Sequence, residues 1–432
     1  MKKALFLAAA LICGARANAL TIEKVTSPSG IEAWLVEDHK NPIIAADFSF
    51  AAGGATDPSG KEGLATMVSG LLDEGAGDMD AQAFQGRLED LAVGLTFSAD
   101  DDNFSGRVKT LTDNRDEAFK LLHLALTKPR FDADAVERVR GQMLVGLQQQ
   151  EQDPQSLVGR AFAAAIYPNH PYGRLSTEAS YKAIGGADLK GWAGGHLSRD
   201  RLVVSVVGDI TPSQLGALLD RTFADLPAKV DLAPIAEAMV PAKGSLKIIK
   251  KPIPQSVVNF GEQGVKRDDP DWYTAYVMNY ILGGGSFSSR LMTEVRVKRG
   301  LAYGAYTALE PNEHGGLVVG EVATRNDKVA ESLKIIKEEL RKMGSGDVAP
   351  QELASAKTYL NGSFPLQMDS TTAIAALLSV VQRDHLGIDY FDRRPTLIGK
   401  VAAADIRRVA GKLLDPDKLT IVVVGDPKGM TE

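Results

Sequence analysis

One unit of helix, turn and strand occurs twice in this chain, and that repetition dictates its overall plan. Ala187-Asp-Leu-Lys-Gly-Trp-Ala-Gly leads to Leu202-Val-Val-Ser-Val-Val-Gly-Asp209, and Ala404-Asp-Ile-Arg-Arg-Val-Ala-Gly leads to Leu419-Thr-Ile-Val-Val-Val-Gly-Asp426. The copies are 217 residues apart throughout, with no gap. Each opens with amphipathic helical spacing and closes with an apolar strand ending in Gly-Asp. A chain of 432 residues that repeats at this interval is expected to form two homologous halves of roughly 200 residues each.

The stretch from Leu226 to Ser245 holds Pro227, Pro234 and Pro241 and little periodicity, which predicts a linker running along a surface. The halves are therefore expected over 20–235 and 246–432. Within each, alternating stretches in pairs are separated by runs of helical pattern, among them predicted helices at 61–73 and 288–298. The expected fold class is α+β: two homologous halves, each a mostly antiparallel sheet packed with helices. The acidic run Asp100–Asp102 lacks the spaced ligands and closing Glu of a calcium loop and reads as a surface hairpin turn. Gly283–Gly285 is not followed by the Lys-Ser/Thr of a phosphate-cradling loop.

A hydrophobic content of 44% with 24% charged residues belongs to a globular protein, and a net charge of −6 points to neither nucleic acid nor an anionic membrane surface. Met1-Lys-Lys, the apolar run Ala4–Cys13 and the small residues Ala17-Asn-Ala19 read as an export signal cleaved after Ala19, with the periplasm as destination. Its apolar core is too short for a membrane span. Cys13 is the single cysteine, and bulky Ile12 before it argues against a lipid anchor. The mature chain then has no thiol for a disulfide or a metal.

Histidine spacing excludes one large class of hydrolytic site. The six histidines are His39, His123, His170, His196, His314 and His385, and the closest two, His170 and His196, are 26 positions apart. A helical zinc site needs two imidazoles about one turn apart on one face. This chain cannot build one.

Several segments nevertheless resemble the insulinase/pitrilysin family of zinc peptidases. They are Gly53-Gly-Ala-Thr-Asp-Pro-Ser-Gly with Gly63-Leu-Ala-Thr-Met-Val-Ser-Gly-Leu-Leu, then Gly75-Ala-Gly-Asp-Met-Asp-Ala-Gln-Ala-Phe, and His170-Pro-Tyr-Gly. The second half adds Gly283-Gly-Gly-Ser-Phe-Ser-Ser-Arg-Leu-Met-Thr-Glu-Val-Arg-Val-Lys-Arg-Gly-Leu-Ala-Tyr-Gly-Ala-Tyr306. By this resemblance the family's inverted His-x-x-Glu-His motif falls on Thr66, Ser69 and Gly70. Its third ligand falls on Gly146, and a further Glu on Val139. No metal is expected in this chain, because hydroxyls, glycines and a valine cannot hold a catalytic dication.

The same resemblance assigns Arg296 and Tyr303 to substrate binding and oxyanion stabilisation, since both side chains donate without a competing negative charge. From the residues alone, Arg296 reads as a solvated helix end and Tyr303 as a sheet residue with a wet tip; the substrate role comes from the resemblance. The function implied is that of a non-catalytic subunit. It would pair with a homologous zinc-bearing peptidase chain, with zinc held by that partner and peptides as substrates. The alternative is a stand-alone periplasmic peptide-binding protein without peptidase activity.

Overall fold

The computed structural model describes residues 20–432. The expected export signal, residues 1–19, lies outside the described residues.

The first half forms a six-stranded sheet from β1 (Glu23–Thr26), β2 (Glu32–Glu37), β3 (Ile43–Phe50), β4 (Gly94–Ala99), β5 (Phe104–Leu111) and β6 (Leu202–Gly208), in the order β1-β2-β6-β3-β5-β4. The second half forms a five-stranded sheet from β7 (Ser245–Lys250), β8 (Gln255–Gln263), β9 (Ala302–Asn312), β10 (Gly315–Arg325) and β11 (Thr420–Gly425), in the order β7-β11-β8-β10-β9. Each sheet has one parallel pair, β2 with β6 and β7 with β11, and is otherwise antiparallel. The α+β class with two mostly antiparallel sheets packed by helices is the observed one. The repeated unit supplies the helix Gly186–His196 with β6, and the helix Ala403–Leu413 with β11.

One face of each sheet carries its own half's core. Phe48, Phe104 and Phe223 centre the first, and Phe260, Ile336 and Val423 lie in the second. The other face is covered by a helix from the opposite half. The helix Pro154–Ile166 lays Val158, Phe162 and Ile166 against Val257, Val422 and Val424 of the second sheet. The helix Thr371–Arg383 lays Ala375 and Leu378 against Val36, Ala45 and Val207 of the first. These two helices are also 217 residues apart, so the exchange is reciprocal. Alternation along the strands makes this possible, because both faces of each central strand are apolar.

The linker is ordered along this seam. Ile235 and Val240 pack on it, Ala238 N donates to His314 O at 2.6 Å, and His170 Nε2 meets Ala236 O at 2.9 Å. The run Asp100–Asp102 does turn between β4 and β5, but it joins the halves rather than facing solvent alone. Tyr172 Oη donates to Asp102 Oδ1 at 2.5 Å and accepts from His314 N at 3.0 Å, while Glu313 N donates to Asp102 Oδ2 at 3.0 Å. Among the described residues no helix is long and apolar enough to cross a membrane.

Candidate functional site

The segment aligned with the family's ligand helix is helical only over Leu64–Ser69, shorter than predicted. Gly63, at φ 97°, starts it and Gly70 ends it. Asp57 caps it, accepting from Gly63 N at 2.9 Å and Ala65 N at 3.0 Å. Burial pushes the Asp57 carboxyl up to about 6 despite those amides and the nearby Arg174. Upstream, Gly53 lies so close to the β4–β5 turn that a Cβ there would stand 2.6 Å from Asn103 N. Only glycine permits that approach.

Of the positions expected to have lost metal ligands, Gly70 and Val139 meet in space, and the chemistry of the whole set does not suit zinc. A Cβ on Gly70 would lie 3.4 Å from Val139 Cγ1 and 3.6 Å from Met143 Cε, on the helix Ala133–Gln152. Gly146, farther along that helix, faces open space. Thr66 is exposed, and Ser69 Oγ donates to Thr66 O at 2.8 Å, so the buried hydroxyl is already satisfied. Among the described residues no group of three or more His, Cys, Asp or Glu side chains could hold a metal ion. These residues do not fit zinc.

Arg296 and Tyr303 are brought together. The predicted helix at 288–298 is present over 290–297, but it widens to a π-helix over Met292–Val297, as does an earlier segment at Tyr280–Gly284. Gly300, at φ 59°, ends it, and Leu301 N donates to Val295 O at 2.9 Å. Gly283 lies hard against β9, where a Cβ would be 2.5 Å from Thr307 N. The added turn residue re-aims the side chains that follow, a common use of such turns at functional sites.

Arg296 Nη1 donates to Tyr303 O at 3.0 Å, and its guanidinium carbon lies 4.3 Å from the Tyr303 ring centroid and 4.7 Å from that of Phe287. Tyr303 is 80% exposed and Phe287 62%. The guanidinium is thus sandwiched between two solvent-facing rings. Its remaining N–H groups and the Tyr303 hydroxyl are donors, the kind of group that can hold a carbonyl oxygen as negative charge develops on it. Phe287 is part of the site that sequence reasoning missed; its place in the same glycine-led segment was the available signal.

A second concavity lies between the halves, a cavity of about 470 Å³ beside the helix Pro154–Ile166. Asp101, Tyr167, Asn259, Tyr306, Glu310 and Glu321 are among its walls. Partial desolvation and the neighbouring Asp102 and Asp100 push Asp101 up to about 6, and desolvation raises Glu310. None of these was singled out from sequence except Asp101, whose run was read as a turn.

Comparison with known proteins adds to this geometry. The family model described as "Insulinase (Peptidase family M16)" matches residues 33–178, and "Peptidase M16 inactive domain" matches residues 183–360. A Helicobacter pylori protein named "Non-peptidase homolog YmxG" is 28% identical over 436 residues, covering 99% of both chains. A solved peptidase M16 inactive domain from Pseudomonas fluorescens superposes with a TM-score of 0.88 at 29% identity, covering 96% of this chain and 100% of that one. A protease from Helicobacter pylori gives 0.84 at 21% identity, over 94% and 100% of the two chains, a likeness of fold alone.

Proposed function

We propose, from the premise that this chain belongs to the insulinase family of M16 peptidases as an inactive member, that it is the non-catalytic subunit of a two-chain zinc peptidase. Its partner is a homologous chain with an intact metal motif. This chain binds the peptide and stabilises charge from the opposite wall, and the pair works in the periplasm. One observation carries the reading. The Arg296–Tyr303 pair is intact and solvent-facing, whereas Thr66, Ser69, Gly70 and Gly146 stand where ligands would be.

The chemistry divides sensibly. Zinc, held by the partner, supplies the activated water of such peptidases. Arg296 and Tyr303 hold the peptide carbonyl and meet its oxygen with donors as charge grows, which accelerates the reaction only if the contact tightens in the transition state.

The test is reconstitution with a zinc-bearing homologue, followed by peptide cleavage and size-exclusion chromatography. Tyr303→Phe and Arg296→Ala should each lower kcat by about 10²–10³ with assembly unchanged. Chelator-sensitive cleavage by the pure chain, or unchanged kinetics in both variants, would sink the proposal. If reconstitution fails while the chain alone binds peptides, the stand-alone reading takes over. The position of β9 at the edge of its sheet supports that second reading, because an extended peptide can pair with the part of it beyond Thr307.

A further inference from the structure

Where it lines the cavity, the face of the second sheet that looks toward the helix Pro154–Ile166 carries carboxylates among neutral polar and aromatic side chains, with no cation among the described residues there to balance them. Glu321 on β10 is opposite Asn259 on β8 and Tyr306 on β9, and Leu317 is opposite Glu310, so all five share one face. Asp101 reaches the same cavity from the β4–β5 turn of the first half. Phe162 and Tyr167 form the facing wall. Among the described residues no lysine or arginine lines it.

Several of these groups lack partners. Tyr167 is only 4% exposed, yet its hydroxyl has no hydrogen-bond partner among the described residues. Burial, with the charges of Glu310, Asp102 and Asp101, pushes that hydroxyl up to about 12, against the neighbouring Asn312 side chain. Asn259 Oδ1 is likewise buried without a donor. Glu321 accepts from Gln155, but Asp101 is influenced only by desolvation and its like-charged neighbours, and Glu310 only by desolvation. The carboxylates do not converge as a metal-binding group.

We propose that this cleft is a subsite for a basic side chain, lysine or arginine, of a bound peptide. An ammonium or guanidinium brings several donors and no acceptor, the complement of what lines the cavity. Its alkyl stem would pack on Phe162 and Tyr306, and the aromatic faces favour a cation. Charges in a crowded cleft are screened less than on an open surface. An acidic side chain would meet the like charges of Asp101, Glu310 and Glu321. The inference rests on the reading that this chain binds peptides, but it needs no partner subunit.

Fluorescein-labelled peptides, N-acetylated and C-amidated, with a central lysine, arginine or norleucine in an Ala/Gly background, should be titrated against the full chain by anisotropy. Lysine and arginine peptides should bind about tenfold or more tightly than norleucine, the scale of a charge-assisted hydrogen bond. The double variant Glu310→Gln, Glu321→Gln should erase that preference at an unchanged melting temperature. Equal affinity for lysine and norleucine, or a preference that survives the double variant, overturns the subsite. Saturation by spermidine that no lysine peptide displaces also overturns it, in favour of a free polyamine. Partner-dependent cleavage that still falls on Tyr303→Phe would then leave the subunit reading standing. A chain that binds none of the peptides removes the subsite and the peptide-binding reading together.

Discussion

Glu262 on β8 turns into the second half's core and is only 4% exposed. One carboxylate oxygen accepts from Asp415 N at 2.8 Å, and the other has no partner among the described residues. Burial, reinforced by the Asp415 carboxylate, pushes its carboxyl up to about 8, against the Asp415 amide and Lys418. The sign follows from proton binding. Between its ordinary 4.5 and about 8 the folded protein keeps a proton that the unfolded chain has released. Unfolding is therefore favoured increasingly as pH rises through that window.

Glu262→Gln keeps an acceptor for the Asp415 amide and removes the titration. Its stability, measured by urea midpoint, should exceed that of the parent by on the order of a few kcal/mol at pH 8 and converge with it toward pH 4.5. Parallel curves for the two proteins would refute this. Nothing in the sequence around Glu262 marked it, because burial is a property of the assembled sheet. The missing metal ligands were legible for the opposite reason. Two histidines one turn apart are a local pattern, and local patterns survive in a sequence. Phe287 meets Arg296 across the helical turn between them, a contact set by that turn's geometry and not by a local pattern.

At the scale of elements, sequence pattern failed where an element's ends or partners were set by something other than periodicity. The helix Leu64–Ser69 is shorter than its apolar pattern suggests because glycines bound it at both ends. The helix Thr371–Arg383 went unassigned. Its stretch Ala373-Ile-Ala-Ala-Leu-Leu-Ser-Val-Val is a nearly continuous apolar run, which periodicity alone cannot tell from a buried strand. It covers a sheet of the other half on one side, with Val380 37% exposed on another.

That packing makes the seam a place where truncation is costly. Phe162, 7% exposed, fills the space between its helix and the second sheet. Phe162→Ala should cost about 3 kcal/mol or more in denaturant unfolding, as for other buried aromatic deletions. Val380→Ala, removing a half-exposed side chain from the equivalent helix, should stay within about 0.5 kcal/mol. Equal small effects would mean the helix Pro154–Ile166 rests on the second sheet without supporting it.

For the whole molecule, the repeat announced two halves but not their exchange of helices. A period of 217 residues says which segments are equivalent. It does not say which half each equivalent helix will cover, since both sheets offer an apolar patch on the outer face. The choice actually made has a thermodynamic consequence. If each half covered its own sheet, residues 20–235 and 246–432 would be separable domains with their own transitions. Here Val257, Val422 and Val424 are shielded by residues of the first half, and Val36, Ala45 and Val207 by residues of the second. Opening either half uncovers the other, and the Tyr172–Asp102 contact with Glu313 and His314 ties the seam further. The full chain should accordingly unfold in one calorimetric transition, with its van't Hoff and calorimetric enthalpies equal. Expressed separately, each half should expose its outer sheet face, bind a hydrophobic dye and lack a sharp transition. Co-expression of the two should restore both solubility and the single transition. A half that melts sharply by itself would show that its sheet does not depend on the borrowed helix.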